Sequence, residues 1–390
     1  MRVISFSLLF SLSIVAAAAQ SQVPPHTPST WQMQDSGSTA GLRGIDTVDG
    51  AVAWASGTEG TVLKTTDGGA HWQKCAVPDA SKDGATLDFR GVEGWDATTA
   101  IVMASGPGEK SRLYKTTDGC RTWKLLLKNP DAPNGFFDSF WLNDSRGMLL
   151  GLPVGDKFVV FKTRNGGKSW KREPPEGLAL HGRSLAAFAA SNGSIAKGNR
   201  QFAWGFVAGG KDGAVLFNRL SDPDEEGTSG IVGQMVRKKV GWKTSPIAVK
   251  HGAESAGAFA VAYRYPVTIG ICQECKFEDN SHFVAVGGDY LKPNESAGTA
   301  ASSTDGGWTW TAASKPPHGF RSSVQWSEAL KVWIAAGTNG SDVSRDDGKT
   351  WQPLDDGNWN ALSLPFVVGP GGRIARLVPA AVASAPGKLK

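Results

Sequence analysis

The sequence predicts an all-β protein, a seven-bladed β-propeller closed by its own N-terminal strand, on three observations. A Thr/Ser-x-Asp-x-Gly-x-x-Trp turn returns five times with small variations, seven apolar strand-like runs end in glycine turns, and the segment Ser29 to Asp35 copies the end of a repeat. With 49 glycines and 15 tryptophans among 390 residues, and no stretch of helical period to compete, repeated hairpins are the economical reading.

In chain order, Met1-Arg2 and the apolar run "VISFSLLFSLSIVAAAA" have the form of a secretory signal over residues 1–19. That form implies a periplasmic or secreted protein. "STWQMQD" resembles the fourth strands "AHWQKC" and "KTWQPL" and is expected to complete the last blade, so that the propeller spans 29–379. First strands are read in "LRGIDTVDG", "FRGVEGWDA", "FFDSFWLND", "FRSSVQWSE" and "WNALSLPF". Second strands follow in "AVAWASG", "AIVMASG", "GMLLGLP", "FAWGFVAGG", "HFVAVGGD", "KVWIAAG" and "PFVVGPGG", and these seven set the blade count.

The turn motif falls at Thr65-Asp67-Gly69-Trp72, Thr116-Asp118-Cys120-Trp123, Thr163-Asn165-Gly167-Trp170, Ser303-Asp305-Gly307-Trp310 and Ser344-Asp346-Gly348-Trp351. Each lies between two strand-like runs, where a carboxylate can accept backbone N–H groups and glycine can take positive φ. Asp67, Asp118, Asn165, Asp305 and Asp346 are therefore structural. Blade four lacks the motif and blade five carries an insert through "YPVTIGICQEC". After Pro379 the residues 380–390 read as a disordered tail.

Net charge is +5, spread along the chain without a dense basic block, which argues against nucleic-acid binding. No later apolar run is long enough for a transmembrane helix, and a monomer is expected. Four cysteines in an exported chain allow three pairings. A local Cys272 to Cys275 bridge is expected, and a second between Cys75, on a fourth strand, and Cys120, which replaces the motif glycine in the neighbouring blade. The six histidines form no metal motif, and no nucleophile elbow or dinucleotide fingerprint is present, so neither a cofactor nor a metal is expected.

The turns are Asp-box (BNR) repeats. Together with "LRGIDTVDGAVAWASGTEGTVLKTTDGGAHW", "SRLYKTTDG", "GDY" and "NGSDVSRDDGKTW", they make the chain resemble the bacterial relatives of the photosystem II assembly and stability factor, from Trp31 to Pro379. The resemblance implies a protein-binding propeller in an assembly role. No lipobox cysteine follows the signal, unlike the lipid-anchored cyanobacterial pattern.

Propeller geometry puts first-strand starts and the loops between second and third strands on one face, with the Asp-box turns opposite. The first face should collect Arg43, Arg90, Asp138, Arg321 and Asn360 around the channel, with Arg112, Asp156, Lys157, Lys211, Asp289, Tyr290, Asn339, Asp342 and Arg373 on the surrounding loops. Converging guanidinium groups suit a carboxylate or phosphate, on a protein partner or a small anionic ligand; the bland reading pairs each arginine with a carboxylate that ties blades together. The alternative function is a sialidase-like or other enzyme acting on an anionic substrate in the funnel. Such an enzyme needs an activated tyrosine and an arginine triad, and of Tyr114, Tyr263, Tyr265 and Tyr290 none has a glutamate placed beside it by repeat position.

Overall fold

The structure is a computed structural model that describes residues 29–143, 145–196, 205–219, 241–264 and 282–384. The signal-like residues 1–19 and the Cys272 to Cys275 pair lie outside these. The described residues form five four-stranded antiparallel sheets and one nine-stranded sheet. The nine-stranded sheet is two blades whose inner strands touch at a single pair, Gly209 opposite Gly257. A Cβ on either glycine would lie 2.3 or 2.4 Å from the other's Cα, so only two glycines permit this contact. Counting it as blades four and five gives a propeller of seven blades.

Closure is made by the N-terminal strand Trp31–Gln34, which pairs antiparallel with Ile374–Leu377, Trp31 opposite Leu377 and Gln34 opposite Ile374. Trp31 is buried, packs against Trp359 at 6.1 Å and donates its indole N–H to Ser341 Oγ at 2.9 Å. Gln34 reaches the first turn motif: its Oε1 accepts from Trp72 Nε1 and its Nε2 donates to the Gly68 carbonyl. No sheet edge is left at the seam to template association. The tail departs from expectation, because it begins as a helix, Pro379–Ser384. Ala381 and Val382 are buried there, Val382 within the Trp31–Trp359 core, so apolar contact orders residues that composition alone suggests are loose.

All five turn motifs share one bonding scheme. In the first, Thr65 Oγ1 donates to Asp67 Oδ1 and accepts from Gly69 N, and the same Asp67 oxygen accepts from His71 N. Thr116, Thr163, Ser303 and Ser344 repeat the hydroxyl's part, and Asp118, Asn165, Asp305 and Asp346 the acceptor's. The glycine position has φ of +87°, +80°, +86° and +82° at Gly69, Gly167, Gly307 and Gly348. In blade two Cys120 takes this conformation, with φ +67°, and is joined by a disulfide to Cys75 of blade one, Cα atoms 5.3 Å apart.

Two stability outcomes follow from the seam and the bridge. Trp31→Ala should cost about 3–5 kcal/mol, as for large aromatic truncations in cores, read by urea unfolding; a change within error would show that the seam is dispensable. Cys75→Ser with Cys120→Ser, releasing a loop whose ends are 45 positions apart in sequence, should lower stability by about 2–4 kcal/mol under oxidising conditions. Wild type should lose a similar amount on reduction.

Candidate functional site: a bulge-lined cavity at the channel mouth

In blades one, two, three and five the innermost strand holds one residue more than its partner. Leu42 pairs with Gly57 and Gly44 with Ser56, leaving Arg43 between them; Arg90, Asp138 and Phe259 occupy the same place in their blades. Such bulges re-aim a side chain out of the sheet, and here they aim it at the channel. Ser322 and Asn360, whose amides bond to Ala336 and Val368, hold the corresponding position in blades six and seven. Arg43, Arg90, Asp138, Phe259, Ser322 and Asn360 line one cavity of about 440 Å³.

Arg321 is not among them, which corrects the expectation of three converging arginines. The register is one residue out: a Cβ on Gly337 would meet Arg321 Cα at 2.9 Å, and on Gly57 it would meet Leu42 Cα at 2.9 Å, so Arg321 corresponds to Leu42 and not to Arg43. Arg321 thus sits in the core layer, 0% exposed, and its charge is met by the equally buried Asp342, with Nε to Oδ2 at 2.6 Å. Asn339 Oδ1 and the Phe320 carbonyl take further donors. Asp342 is committed to this pair and to His318, and Asp289 is buried with Oδ1 accepting from Leu291 N; neither reaches the cavity. Arg112 is likewise buried against Asp83 and Tyr114. Asp156 accepts from Gly182 N, and Lys211 pairs with Glu254. Arg373 lies over the Trp359 ring at 4.6 Å.

Within the cavity the cations are only partly spent. Arg90 donates through Nε to Asp88 at 2.8 Å and through Nη1 to the Ala189 carbonyl at 3.2 Å. Arg43 Nε lies 3.3 Å from the other Asp88 oxygen, an ion pair without hydrogen-bond geometry. Burial lowers the Arg43 pKa and Arg90 adds to this, with Asp88 opposing, so an arriving anion would relieve the strain between the two cations. Asp138 is fully buried in the lining, with Oδ2 unpartnered. Burial pushes its carboxyl well above the usual range, and the Arg90 charge offsets this only in part.

Sequence reasoning placed Tyr290 on this face and missed the other three rings of the opposite wall. Phe188 stacks on Phe259 at 3.9 Å, and Phe320 and Tyr290 meet Phe259 edge-on at 4.7 and 6.2 Å. Phe320 was hidden by the same one-residue register difference that displaced Arg321, and Phe188 by lying in an interruption of blade four's first strand. That strand survives only as Leu185–Ala186 and Ile195–Ala196. The residues between them cross the channel: Asn192 Oδ1 accepts from Phe140 N and Ser139 Oγ, Asn192 Nδ2 donates to Glu93, and Ser191 Oγ donates to the Ser322 carbonyl on the far side. Ala187 to Ala190 floor the arginine-bearing cavity, and Ser191 to Gly193 line a separate one at the other end. The channel is plugged, and the cavity opens one way.

The turn aspartates carry no chemistry of this kind. Hydrogen bonds from the His71 amide and ring and from Thr65 lower Asp67 to about 2, and those from Thr122, Thr116 and the Arg121 amide do the same for Asp118. Among the described residues no cluster of His, Cys, Asp and Glu could hold a metal ion, and no helix is long and apolar enough to cross a membrane.

No family model matches the chain. It is 28% identical over 160 residues to the photosystem II assembly lipoprotein Ycf48 of Synechococcus sp. (strain CC9902), covering 40% of this chain and 44% of that one. With the chloroplastic photosystem II stability/assembly factor HCF136 of Arabidopsis thaliana it shares 26% over 120 residues, 30% of this chain and 26% of that one. The matches thus span less than half the length of these relatives. Among solved structures, YCF48 bound to D1 peptide superposes with a TM-score of 0.55 at 15% identity, covering 92% of this chain and 99% of that one. YCF48 from Cyanidioschyzon merolae gives 0.54 at 18%, covering 90% and 100%. These relatives support a photosystem II assembly factor-like propeller family. At such identities the solved structures speak for the fold alone, which is the propeller of this family.

The Arg321–Asp342–His318 cluster generates a pH test. His318 Nδ1 faces Asp342 at 2.9 Å and Nε2 faces the Asn339 carbonyl at 2.8 Å, and the Asp342 bond raises its pKa despite partial burial. A raised folded value stabilises fully below the unfolded pKa of about 6.5 and is lost as pH rises through the folded one. His318→Gln should therefore narrow the stability difference between pH 5.5 and 8.5; an unchanged difference would refute the assignment. Arg321→Ala should cost about 3–5 kcal/mol, because it strands Asp342 in the core, with unfolding as the readout.

Proposed function

We propose that the chain is an exported, non-catalytic binding scaffold of the assembly-factor kind, whose contact surface is the cavity-bearing face with Arg43 and Arg90. The observation that carries this reading is the convergence of six bulge-position residues from different blades on one cavity, in which Arg43 and Arg90 share the carboxylate of Asp88. Support for a protein ligand comes from the relatives: one is called an assembly lipoprotein, and a fold neighbour is described as bound to a D1 peptide. Export rests on the signal-like N-terminus and is compatible with a lipoprotein relative. A sialidase-like enzyme finds less support, because among the described residues Tyr290 is the one tyrosine in the cavity lining and no glutamate accompanies it there.

Affinity capture from periplasmic extract, with mass spectrometry, tests the assignment. Arg43→Ala with Arg90→Ala should keep the fold yet lose the proteins that wild type retains. Wild-type retention should fall between low salt and physiological ionic strength, where the screening length shrinks to about 8 Å. Identical protein sets from both forms would overturn the site, and turnover of a sialoside abolished by the double variant would overturn the scaffold reading.

A further inference from the structure

We infer that the cavity is a subsite for one short peptide element, a carboxylate side chain beside an aromatic one, with Asp138 as a neutral third hydrogen-bond donor beside Arg43 and Arg90. This rests on the scaffold reading and gives its partner a chemistry.

Three features select that ligand. Arg43 and Arg90 share one carboxylate, Asp88, so two cations face one anion and the site is short of one negative charge. Asp138 is a poor source of it: enclosure of Oδ2 without a hydrogen-bond partner disfavours the charged form, with the Arg90 charge opposing. A protonated carboxyl can donate one hydrogen bond to a ligand carboxylate that the guanidinium groups also hold. Phosphate chemistry is less well served, since a dianion would exceed the single missing charge.

The remaining wall is apolar. Phe188, Phe259, Phe320 and Tyr290 form a connected set of ring contacts opposite the cations. Tyr290 is 48% exposed, and Leu291 beside it, 71% exposed, is the most exposed large hydrophobic residue among those described. Tyr290 carries the apolar wall onto the rim, where an aromatic ring of the ligand would meet it. At about 440 Å³ the cavity holds more than one side chain. Because Ala187 to Ala190 close its floor, it receives a projecting element and cannot thread a strand through the ring.

Isothermal titration of the full mature protein with the acetylated, amidated tetrapeptide Ala-Asp-Phe-Ala tests this. The Ala-Asn-Phe-Ala and Ala-Asp-Ala-Ala peptides serve as controls, and 3-phenylpropionate represents a free small acid. Wild type should bind the first peptide, and the Asn control should bind about tenfold more weakly, the size of one charge-assisted bond. Asp138→Ala should weaken binding about tenfold, and Asp138→Asn, which keeps a neutral donor, should restore it to within about threefold. Tyr290→Ala, on the exposed rim, should weaken the Phe peptide and not the Ala control.

Equal binding of the Asp and Asn peptides, or Asp138→Asn as weak as Asp138→Ala with native melting curves in both, would overturn the inference. Tighter binding of 3-phenylpropionate than of the peptide would overturn the peptide assignment. If no peptide binds while Arg43→Ala with Arg90→Ala still abolishes capture from extract, the subsite chemistry fails and the scaffold reading survives; loss of both effects defeats both.

Discussion

Everything that reaches the channel depends on how closely the two innermost strands of each blade approach. Where the second strand ends in blades one, five, six and seven, a glycine lies against first-strand backbone: a Cβ at Gly57, Gly287, Gly337 or Gly369 would come within 1.9 to 2.3 Å of a carbonyl oxygen, whereas blade two has room for Ala104. In those four blades only a residue without a side chain fits. That contact fixes the first strand's start, and the extra residue beyond it is turned off the sheet toward the axis. Side-chain identity at the bulge then decides the channel's chemistry without cost to the core. One position earlier, the side chain belongs to the core layer, and Arg321 can stand there only because Asp342 is buried with it.

The six bulge-position residues are chemically sorted around the ring. Blades one and two contribute cations, blade three a buried carboxyl, blade five an aromatic ring and blades six and seven small polar groups. Charge is therefore concentrated on one side and apolar surface on the other. The interrupted first strand of blade four completes the arrangement, since its crossing residues accept hydrogen bonds from blade three, donate to blades two and six, and hold Phe188 against Phe259. A polar network spanning the axis with each of Asn192's amide atoms engaged is the kind that rigidifies.

Blade number, turn scheme and ring closure were legible because each recurs: a bond pattern used five times announces itself, and "STWQMQD" repeats a strand found elsewhere. Arg43, Arg90 and Asp138 were legible for the same reason. Arg321 was misplaced because "FRS" and "FRG" look equivalent in letters, whereas the equivalence is set by which residue meets the second-strand glycine, a backbone contact that letters do not carry. Phe188 and the plug left no trace, since they occur once and replace a strand. The tail helix was hidden by composition, because alanine and valine in a terminal segment say nothing until Trp31 and Trp359 offer them an apolar seat.

The seam between Trp31–Gln34 and Ile374–Leu377 also fixes an order of events. Synthesis runs from the amino end, so Trp31–Gln34 is made long before its partner and must wait unpaired while more than three hundred residues follow. Blade seven cannot exist as a complete sheet until Ile374–Leu377 has been made, whatever the other six have achieved. A nascent or truncated chain therefore exposes Trp31 and an unpaired edge, which is the form a quality-control protease or chaperone would meet. Burial of that tryptophan marks the point at which the ring has closed.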